Sequence, residues 1–188
     1  MEYAGRRFAE NGYHPTSVAE IVQGIGVGKG VFYWYFSSKE ELFSEILREA
    51  QQELRRRQQA AIGDEADPVR RIELGIRASM DWLSENRHLF TLLQFAVSDE
   101  QFSQAVVRGR DVAVADVVRH VKEGVVSGRV RDADPLVLAY AILGVTDSLA
   151  RNLLFVKGEP PNEVADAAVA FCLEGLLGER APARLAKV

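Results

Sequence analysis

Apolar residues are spaced helically along almost the whole chain. They recur three and four residues apart, and breaks rich in glycine or proline separate the periodic segments. Alternating apolar and polar runs joined by a hairpin dipeptide, which indicate strands, do not occur. The pattern therefore predicts an all-α protein of about nine helices without a sheet.

Three short helices are expected in the first 45 residues. Residues 12–15 contain a glycine and a proline and end the first helix. Ser17 followed three residues later by Glu20 forms a capping box that begins the second helix. A glycine turn at 24–26 leads into a third helix at 28–35. Two short helices joined in this way indicate a helix-turn-helix.

The rest of the chain is expected to form a larger helical bundle. A fourth helix, capped by Ser37 or Ser38, passes from an N-terminal domain (residues 1–45) into a C-terminal domain (residues 46–188). Pro68 follows the clearest linker and suits the first position of a helix. Further helices are expected at about 68–85, 88–96, 101–127 and 134–156, and from 162 to near 178.

Charge and composition favour a cytoplasmic protein that meets DNA with one face. The net charge is −4, but residues 1–62 carry eight Lys+Arg and eight Asp+Glu, so the acidic excess lies in the later part. The single Cys172 excludes an internal disulfide and suits a reducing compartment. A secretion signal is not recognisable, and no apolar run approaches the roughly 20 residues of a membrane helix, so no membrane partner is expected.

The third helix carries the candidate base contacts. In a helix-turn-helix the second helix of the pair enters the major groove with its N-terminal residues at the base edges. Lys29 can donate to guanine O6 and N7, Gly30 permits close backbone approach, and Tyr33 shares their helix face. Polar tips nearby are the predicted phosphate contacts. These are Thr16, Ser17, Trp34, Tyr35 and Lys39.

Other chemistries fit the sequence poorly. The glycines at 24–30 match neither the phosphate-loop nor the dinucleotide spacing, and no strand precedes them. His88 and His120 lack partnered ligand spacing, which argues against a metal site. A nucleophile with a base, or a carboxylate pair, is not recognisable, so no enzyme activity and no cofactor are expected.

Residues 8–43 resemble the DNA-binding domain of the TetR-type transcriptional regulators, and residues 26–42 read GVGKGVFYWYFSSKEEL. The resemblance implies a homodimeric regulator, usually a repressor, that leaves its operator when a small ligand binds the C-terminal domain. It also implies base contacts and backbone contacts at the positions named above. Gly28 and Val31 replace hydroxyl-bearing residues of the family pattern. They keep open a second function, a helical dimeric interaction module with weak or lost DNA binding.

The last two helices are the expected dimer interface. The helix at 134–156 is apolar nearly all round, so it should be buried on more than one side. The final helix is rich in small residues that permit close packing. Two such helices from each subunit would form a four-helix interface around a two-fold axis, whereas a monomeric bundle with one thick core is the alternative.

Aromatic residues of the C-terminal domain are candidates for an effector site. Asp147 shares a helix stripe with Tyr140, and either pairs with Arg151 four residues on or is a polar group inside an apolar pocket. Plain core packing is the competing explanation for the aromatic rings. The candidate ligand-binding residues are Trp82, Phe90, Phe95, Phe102, Tyr140 and Asp147.

Overall fold

A computed structural model describes residues 1–177 of the chain, and over this range the regular secondary structure is helical, without a strand. The predicted all-α class is confirmed. The predicted end of the last helix near Gly178, and the tail beyond it, lie outside these residues. The helices are α1 (Glu2–Asn11), α2 (Val18–Gly24), α3 (Lys29–Tyr35), α4 (Lys39–Ile62), α5 (Pro68–Glu85), α6 (Arg87–Ser98), α7 (Glu100–Val126), α8 (Pro135–Leu149), a π-helical continuation of α8 (Ala150–Lys157), and α9 (Pro161–Leu177).

Side-chain caps fix several of the helix starts. A short polar side chain accepts a hydrogen bond from a free backbone N–H in the first turn, which the helix itself cannot satisfy. The predicted starts of α2, α4, α5 and α8 have such caps. The bonds run from Glu20 N to Ser17 Oγ (3.1 Å), from Glu41 N to Ser38 Oγ (3.1 Å), from Val69 N to Asp67 Oδ1 (3.0 Å) and from Leu136 N to Asp134 Oδ1 (2.8 Å).

The chain forms two compact units that differ from the expected division at residue 45. The first unit comprises residues 1–55 and 85–111, and the second comprises residues 56–84 and the chain from 112 onward. Residue 45 lies inside α4, and α6 packs against α1 within the first unit. The first unit is therefore larger than the three-helix head that the sequence suggests.

Aromatic rings form the centre of the first unit. Phe43 is fully buried, and its ring centroid lies 5.4 Å from that of Phe8, 4.8 Å from that of Tyr13 and 4.5 Å from that of Phe102. Edge-on and tilted contacts at these distances are favourable for aromatic pairs. Residues of α2 and α3 join this cluster, with Ile21, Val22 and Phe32 buried and Val18, Val27 and Phe36 packed against it.

Helix α8 and its π-helical continuation form one long helix of the second unit, and a single stripe of this helix stays buried. The buried residues are four positions apart. Four residues of an α-helix turn about 40° more than one full turn, so a stripe with this spacing drifts around the helix. The wider π-helical turns after Leu149 rotate less per residue and bring the stripe back inward. The sequence pattern predicts a plain helix here and misses the π segment. The stripe consists of Leu138, Ile142, Thr146, Ala150 and Leu154.

The length and composition of the same helix contradict one expectation from the sequence. Between residues 1 and 177, the stretch Pro135–Lys157 is long and apolar enough, by length and composition, to cross a membrane. The expectation that no apolar run approaches this length is therefore wrong, because few charged residues interrupt the stretch. This length and composition are weak evidence for a membrane span, since core helices of soluble proteins pass the same test.

Candidate nucleic-acid interface

An ion pair fixes α2 against α1. Arg7 donates to Glu20 Oε1 from Nε at 3.0 Å and also from Nη2, and Asn11 Nδ2 donates to the same oxygen at 3.2 Å. The hydrogen bonds from the Arg7 guanidinium lower the pKa of the Glu20 carboxyl, and the same contact raises the pKa of Arg7. The start of α2 is thus held by its own cap and by a neighbouring helix.

Two glycines near the turn between α2 and α3 have local structural roles. Gly26 has φ +71°, a left-handed conformation that favours glycine. A Cβ at Gly24 would lie 2.0 Å from the Tyr3 hydroxyl oxygen of α1, so the tip of the Tyr3 ring would have to move to make room for it. Gly26 thus shapes the turn, whereas Gly24 lets Tyr3 of α1 approach α2.

Two further glycines are not required by the fold. Gly28 caps α3 with φ −78°, and a Cβ at Gly28 or at Gly30 would meet no atom within 4 Å. Both residues and Lys29 between them are exposed. The start of α3 therefore presents bare backbone beside a lysine, which suits close approach to another molecule.

The far end of α3 places its aromatic residues on opposite sides of the helix. Phe32 is buried at 6% exposure, whereas Tyr33, Trp34 and Tyr35 are 57%, 78% and 64% exposed. The exposed rings carry two hydroxyl groups and one indole N–H, all able to donate hydrogen bonds. Rings with donor tips at this exposure fit a polyanionic partner better than they fit a core.

The structure separates the two residues predicted at the start of α2. Ser17 is exposed, and its Oγ accepts from Glu20 N, so its hydroxyl proton can point outward to a phosphate. Thr16 is fully buried, and its Oγ1 donates to Gly12 O at 2.8 Å. The predicted phosphate contact does not fit the Thr16 side chain, because its hydroxyl completes the turn before α2.

Lys39 is also engaged inside the protein. Its Nζ donates to the carbonyl oxygens of Tyr13 (2.9 Å), His14 (3.3 Å) and Thr16 (3.0 Å), and it lies 4.3 Å from the centroid of the Tyr13 ring. The ammonium group has three N–H donors, and the carbonyls occupy them. A phosphate contact from Lys39 would have to break one of these bonds.

Tyr13 is an important residue that the sequence did not single out. Its hydroxyl donates to Glu40 Oε1 at 3.0 Å, and burial together with the Glu40 carboxylate raises its pKa. Its ring also contacts Phe95 and Phe102, with centroids 5.5 Å and 5.0 Å away. The only sequence signal was a tyrosine next to the glycine of a turn, which by itself indicates nothing.

The candidate ligand-binding residues divide between the two units. Phe90 is half-buried in the first unit, and Phe95 and Phe102 belong to the ring packing around Tyr13. In the second unit Trp82 is buried at 1% exposure, whereas Tyr140 and Asp147 lie on exposed positions of α8. A role for these six residues in effector binding stays a prediction.

Known proteins with similar sequences and folds are transcriptional regulators. Residues 2–46 match the sequence model of the bacterial regulatory proteins of the tetR family. The chain is 24% identical over 165 residues to the uncharacterized HTH-type transcriptional regulator YhgD of Bacillus subtilis, covering 86% of this chain and 84% of that protein. It is 34% identical over 88 residues to the HTH-type transcriptional repressor KstR2 of Mycobacterium tuberculosis, covering 47% of this chain and 44% of that protein.

A solved structure extends the similarity over almost the whole chain. The TetR family transcriptional regulator PfmR from Thermus thermophilus superposes with a TM-score of 0.74 at 26% identity, covering 96% of this chain and 98% of PfmR. The helix-turn-helix geometry, the sequence match at residues 2–46 and this fold agree. Residues 2–46 therefore form a tetR-family DNA-binding domain, and the chain is a TetR-type DNA-binding transcriptional regulator.

Proposed function

We propose that the protein is a homodimeric repressor that binds a pseudo-palindromic operator and is released by a small-molecule effector in the cytoplasm. The observation that carries the proposal is the two-sided build of α3, where buried Phe32 is followed by three exposed rings with donor tips. A helix that only stabilised the head would have no use for that exposure. Named repressors among similar proteins support the direction of regulation.

The reading face is the exposed surface formed by Ser17, Lys29, Gly30, Tyr33, Trp34 and Tyr35. In the major groove Lys29 and Tyr33 would donate to base edges while the bare backbone at Gly30 permits close approach. Ser17, Trp34 and Tyr35 would donate to phosphates on either side. This division follows the placement of exposed donors and replaces the wider set that includes Thr16 and Lys39.

The dimer is proposed to form through the α8–α9 face. This face is the exposed apolar surface of the last two helices, with Leu136 at 47%, Val137 at 63% and Phe171 at 66% exposure. Exposed apolar groups of this size, grouped together, are typical of an interface. A second copy would cover the exposed side of the long apolar helix that ends at Lys157.

Two glycines on the same face support close packing of a partner. Gly144 in α8 and Gly175 in α9 have negative φ, and a Cβ at either position would meet no atom within 4 Å. The single chain therefore has no need of glycine at these helix positions, where glycine costs about 0.5–1 kcal/mol relative to alanine. Helices of a second subunit could approach closely there.

The effector would act by shifting a population of dimers. The ligand would bind more tightly to a dimer whose head spacing does not match the operator. It lowers operator affinity by at most the ratio of its own affinities for the two forms of the dimer. Helix α4 begins beside the reading face and continues into the second unit, so we propose that it transmits the effect of the ligand to the reading face. Two heads must match half-sites about one helical turn apart, which makes binding sensitive to small movements.

A mobility-shift titration tests the proposal directly. The probe is the duplex that flanks the protein's own gene, and a scrambled duplex of equal length is the control. We expect one complex with two subunits per duplex and an affinity that falls linearly in log salt. A lack of preference for the flanking duplex at low salt, in a dimer shown by sedimentation, would favour the helical interaction module instead.

Release by an effector has its own test. A thermal-shift screen of small molecules identifies compounds that raise the midpoint of unfolding, and each is then added to the preformed operator complex. We expect at least one stabilising compound to dissociate the complex, because a ligand that binds the folded state stabilises it. Stabilising compounds that all leave the complex intact would remove the effector from the proposal.

A further inference from the structure

The corner between α1 and α2 (residues 12–17) has no helix of its own to satisfy its carbonyl groups. Buried carbonyls without partners are costly, so side chains have to supply the donors. Thr16 Oγ1 donates to Gly12 O at 2.8 Å, and Lys39 Nζ donates to the carbonyls of Tyr13, His14 and Thr16 at 2.9–3.3 Å. One lysine of α4 thus satisfies three carbonyls of a segment more than twenty residues away.

A second contact from the same turn of α4 strengthens this connection. Glu40 Oε1 accepts a hydrogen bond from the Tyr13 hydroxyl at 3.0 Å, while the Lys39 ammonium lies over the face of the Tyr13 ring. Cation–π contacts add to hydrogen bonds when the cation is partly desolvated. Both residues at the start of α4 therefore hold the corner, one through carbonyls and the other through a side chain.

We infer that Lys39 is a positioning residue for operator binding rather than a phosphate contact. The corner ends at Ser17, which caps α2 and supplies a donor to the reading face. Fixing the three carbonyls fixes where α2 begins, and α2 packs directly on α3. This inference rests on the proposed reading face and names the residue that holds it in place.

Lysine labelling of the wild-type protein tests the inference without any variant. Acetic anhydride is applied in pulses and the acetylated lysines are quantified by mass spectrometry, with exposed Lys29 as the internal comparison. Without DNA we expect Lys39 to react about tenfold more slowly than Lys29, because its donors are occupied by charge-assisted hydrogen bonds. Equal reactivity of the two lysines in the free protein overturns the inference.

Adding operator duplex separates the inference from the proposed function. We expect DNA to protect Lys29 and to leave the slow reaction of Lys39 nearly unchanged. Protection of Lys39 by DNA after fast reaction in its absence is the phosphate-contact result and overturns the inference. If Lys39 reacts slowly without DNA but DNA does not protect Lys29, the result supports the corner contacts of Lys39 and contradicts the proposed base contact of Lys29.

Two substitutions of Lys39 add a second measurement, the affinity for the operator and its dependence on salt. A positioning residue and a phosphate contact predict different results. Lys39→Arg keeps the charge but cannot place a planar guanidinium among three carbonyls, whereas Lys39→Met removes the charge. We expect both to weaken operator binding about tenfold to a hundredfold with an unchanged salt slope. A phosphate contact instead predicts that Arg rescues binding and that Met lowers the slope by about 1.8 for two subunits.

Amide hydrogen exchange at residues 13–18 completes the test. We expect faster exchange there in Lys39→Met and wild-type exchange in Lys29→Met, which removes an exposed lysine from the reading face. Unchanged exchange in Lys39→Met overturns the inference. If Lys39→Met does not fold, the labelling of the wild-type protein still decides the matter.

Discussion

The reading face and the α8–α9 face both expose large apolar surface, but their chemistry differs. Tyr33, Trp34 and Tyr35 end in hydrogen-bond donors, whereas Leu136, Val137 and Phe171 carry none. Donor tips are useful beside phosphates and base edges, and bare apolar side chains are useful against another apolar surface. Exposure alone would not distinguish these two surfaces, and the tips of the side chains do.

Glycines occur on both faces, and the fold explains only those of the turn. Gly24 meets the ring tip of Tyr3 and Gly26 has a left-handed φ, whereas Gly30 and Gly144 lie in open space on helices. A glycine that costs helix stability without a reason inside the chain favours close approach from outside. The proposed approaching surface is DNA on one face and a second subunit on the other.

The strongest test within the head compares two neighbouring aromatic residues of α3. Phe32→Ala should lower the free energy of unfolding by about 3–5 kcal/mol, because it opens a cavity in the core of the first unit. Tyr33→Ala removes an exposed ring and should change that free energy by less than about 0.5 kcal/mol. Urea denaturation measures both values.

Operator titration then separates the two roles. Tyr33→Ala should weaken binding at least about tenfold at fixed salt, since one good base contact contributes about 1–3 kcal/mol. Phe36 packs against the core and serves as a control, since Phe36→Leu should leave affinity near the wild-type value. Normal operator affinity in Tyr33→Ala would contradict its assignment to the reading face.

A matched pair of valines tests the α8–α9 face. Val137→Arg places a charge in the proposed interface and should weaken dimerisation by about a hundredfold or more, because an unpaired charge would be desolvated there. Val126→Arg makes the same change at an 89% exposed position at the end of α7 and should leave the dimer intact. Sedimentation equilibrium measures both dissociation constants.

The monomeric form of Val137→Arg should also bind the operator poorly, because one head reads only half of the site. Its thermal midpoint, measured at equal concentration, shows whether the subunit itself remains folded. A folded Val137→Arg protein that remains a dimer would move the interface away from α8 and α9.

Local signals in the sequence were sufficient for most helix boundaries. Ser17, Asp67 and Asp134 cap helices where the pattern predicts, since a cap depends on residues only two or three positions apart. The π segment after Leu149 was missed because it follows from the register of a buried stripe against neighbouring helices. The packing of α6 with α1 was missed for the same reason, since it joins distant parts of the chain.

Exposure along α3 could be predicted from the sequence, whereas the partners of inward-pointing side chains could not. Lys29, Tyr33 and Trp34 are exposed as expected, because Lys29 and Tyr33 are four residues apart on one helix face and Trp34 lies about 200° around the helix from Phe32. The sequence predicts Thr16 and Lys39 as phosphate donors, and only the three-dimensional corner shows carbonyl acceptors beside both. The partner of a polar group is a tertiary fact that spacing does not provide.

A pair of glycines in the head gives opposite stability effects. Gly30→Ala should stabilise the protein by about 0.4–1 kcal/mol, because alanine suits a helix and the space is open. Gly26→Ala should destabilise it by about 1–2 kcal/mol, because φ is +71°. Thermal unfolding of both variants beside the wild type measures these shifts.

Gly30→Ala should nevertheless weaken operator binding, since its methyl group would separate the backbone from the base edges. Stability and affinity then change in opposite directions, which a simple folding defect cannot produce. If Gly30→Ala gains stability and keeps full affinity, the close approach proposed at this position is wrong.

The smallest expected effect compares one histidine from each unit. Burial lowers the pKa of His120 in α7, and the Arg119 and Arg71 charges lower it further; burial also lowers the pKa of His88 in α6. A lowered pKa favours the neutral ring in the folded state. The contribution to stability is therefore present above the unfolded value of about 6.5 and is lost as the pH falls below it.

The contact with Arg71 gives the expected pH response a structural reason. His120 Nδ1 lies 3.3 Å from Arg71 Nη1, so the neutral ring can accept a hydrogen bond that protonation would abolish. Between pH 7 and 5 the wild-type free energy of unfolding should fall, with a slope of at most about 1.4 kcal/mol per pH unit for each histidine. His120→Gln retains an acceptor for Arg71 and should flatten this slope more than His88→Gln does, because the charges of Arg119 and Arg71 add to burial at His120, whereas at His88 the charge of Arg6 alone does. Urea denaturation at several pH values measures the slopes, and an unchanged slope in His120→Gln would show that His120 has the same pKa in the folded and unfolded states.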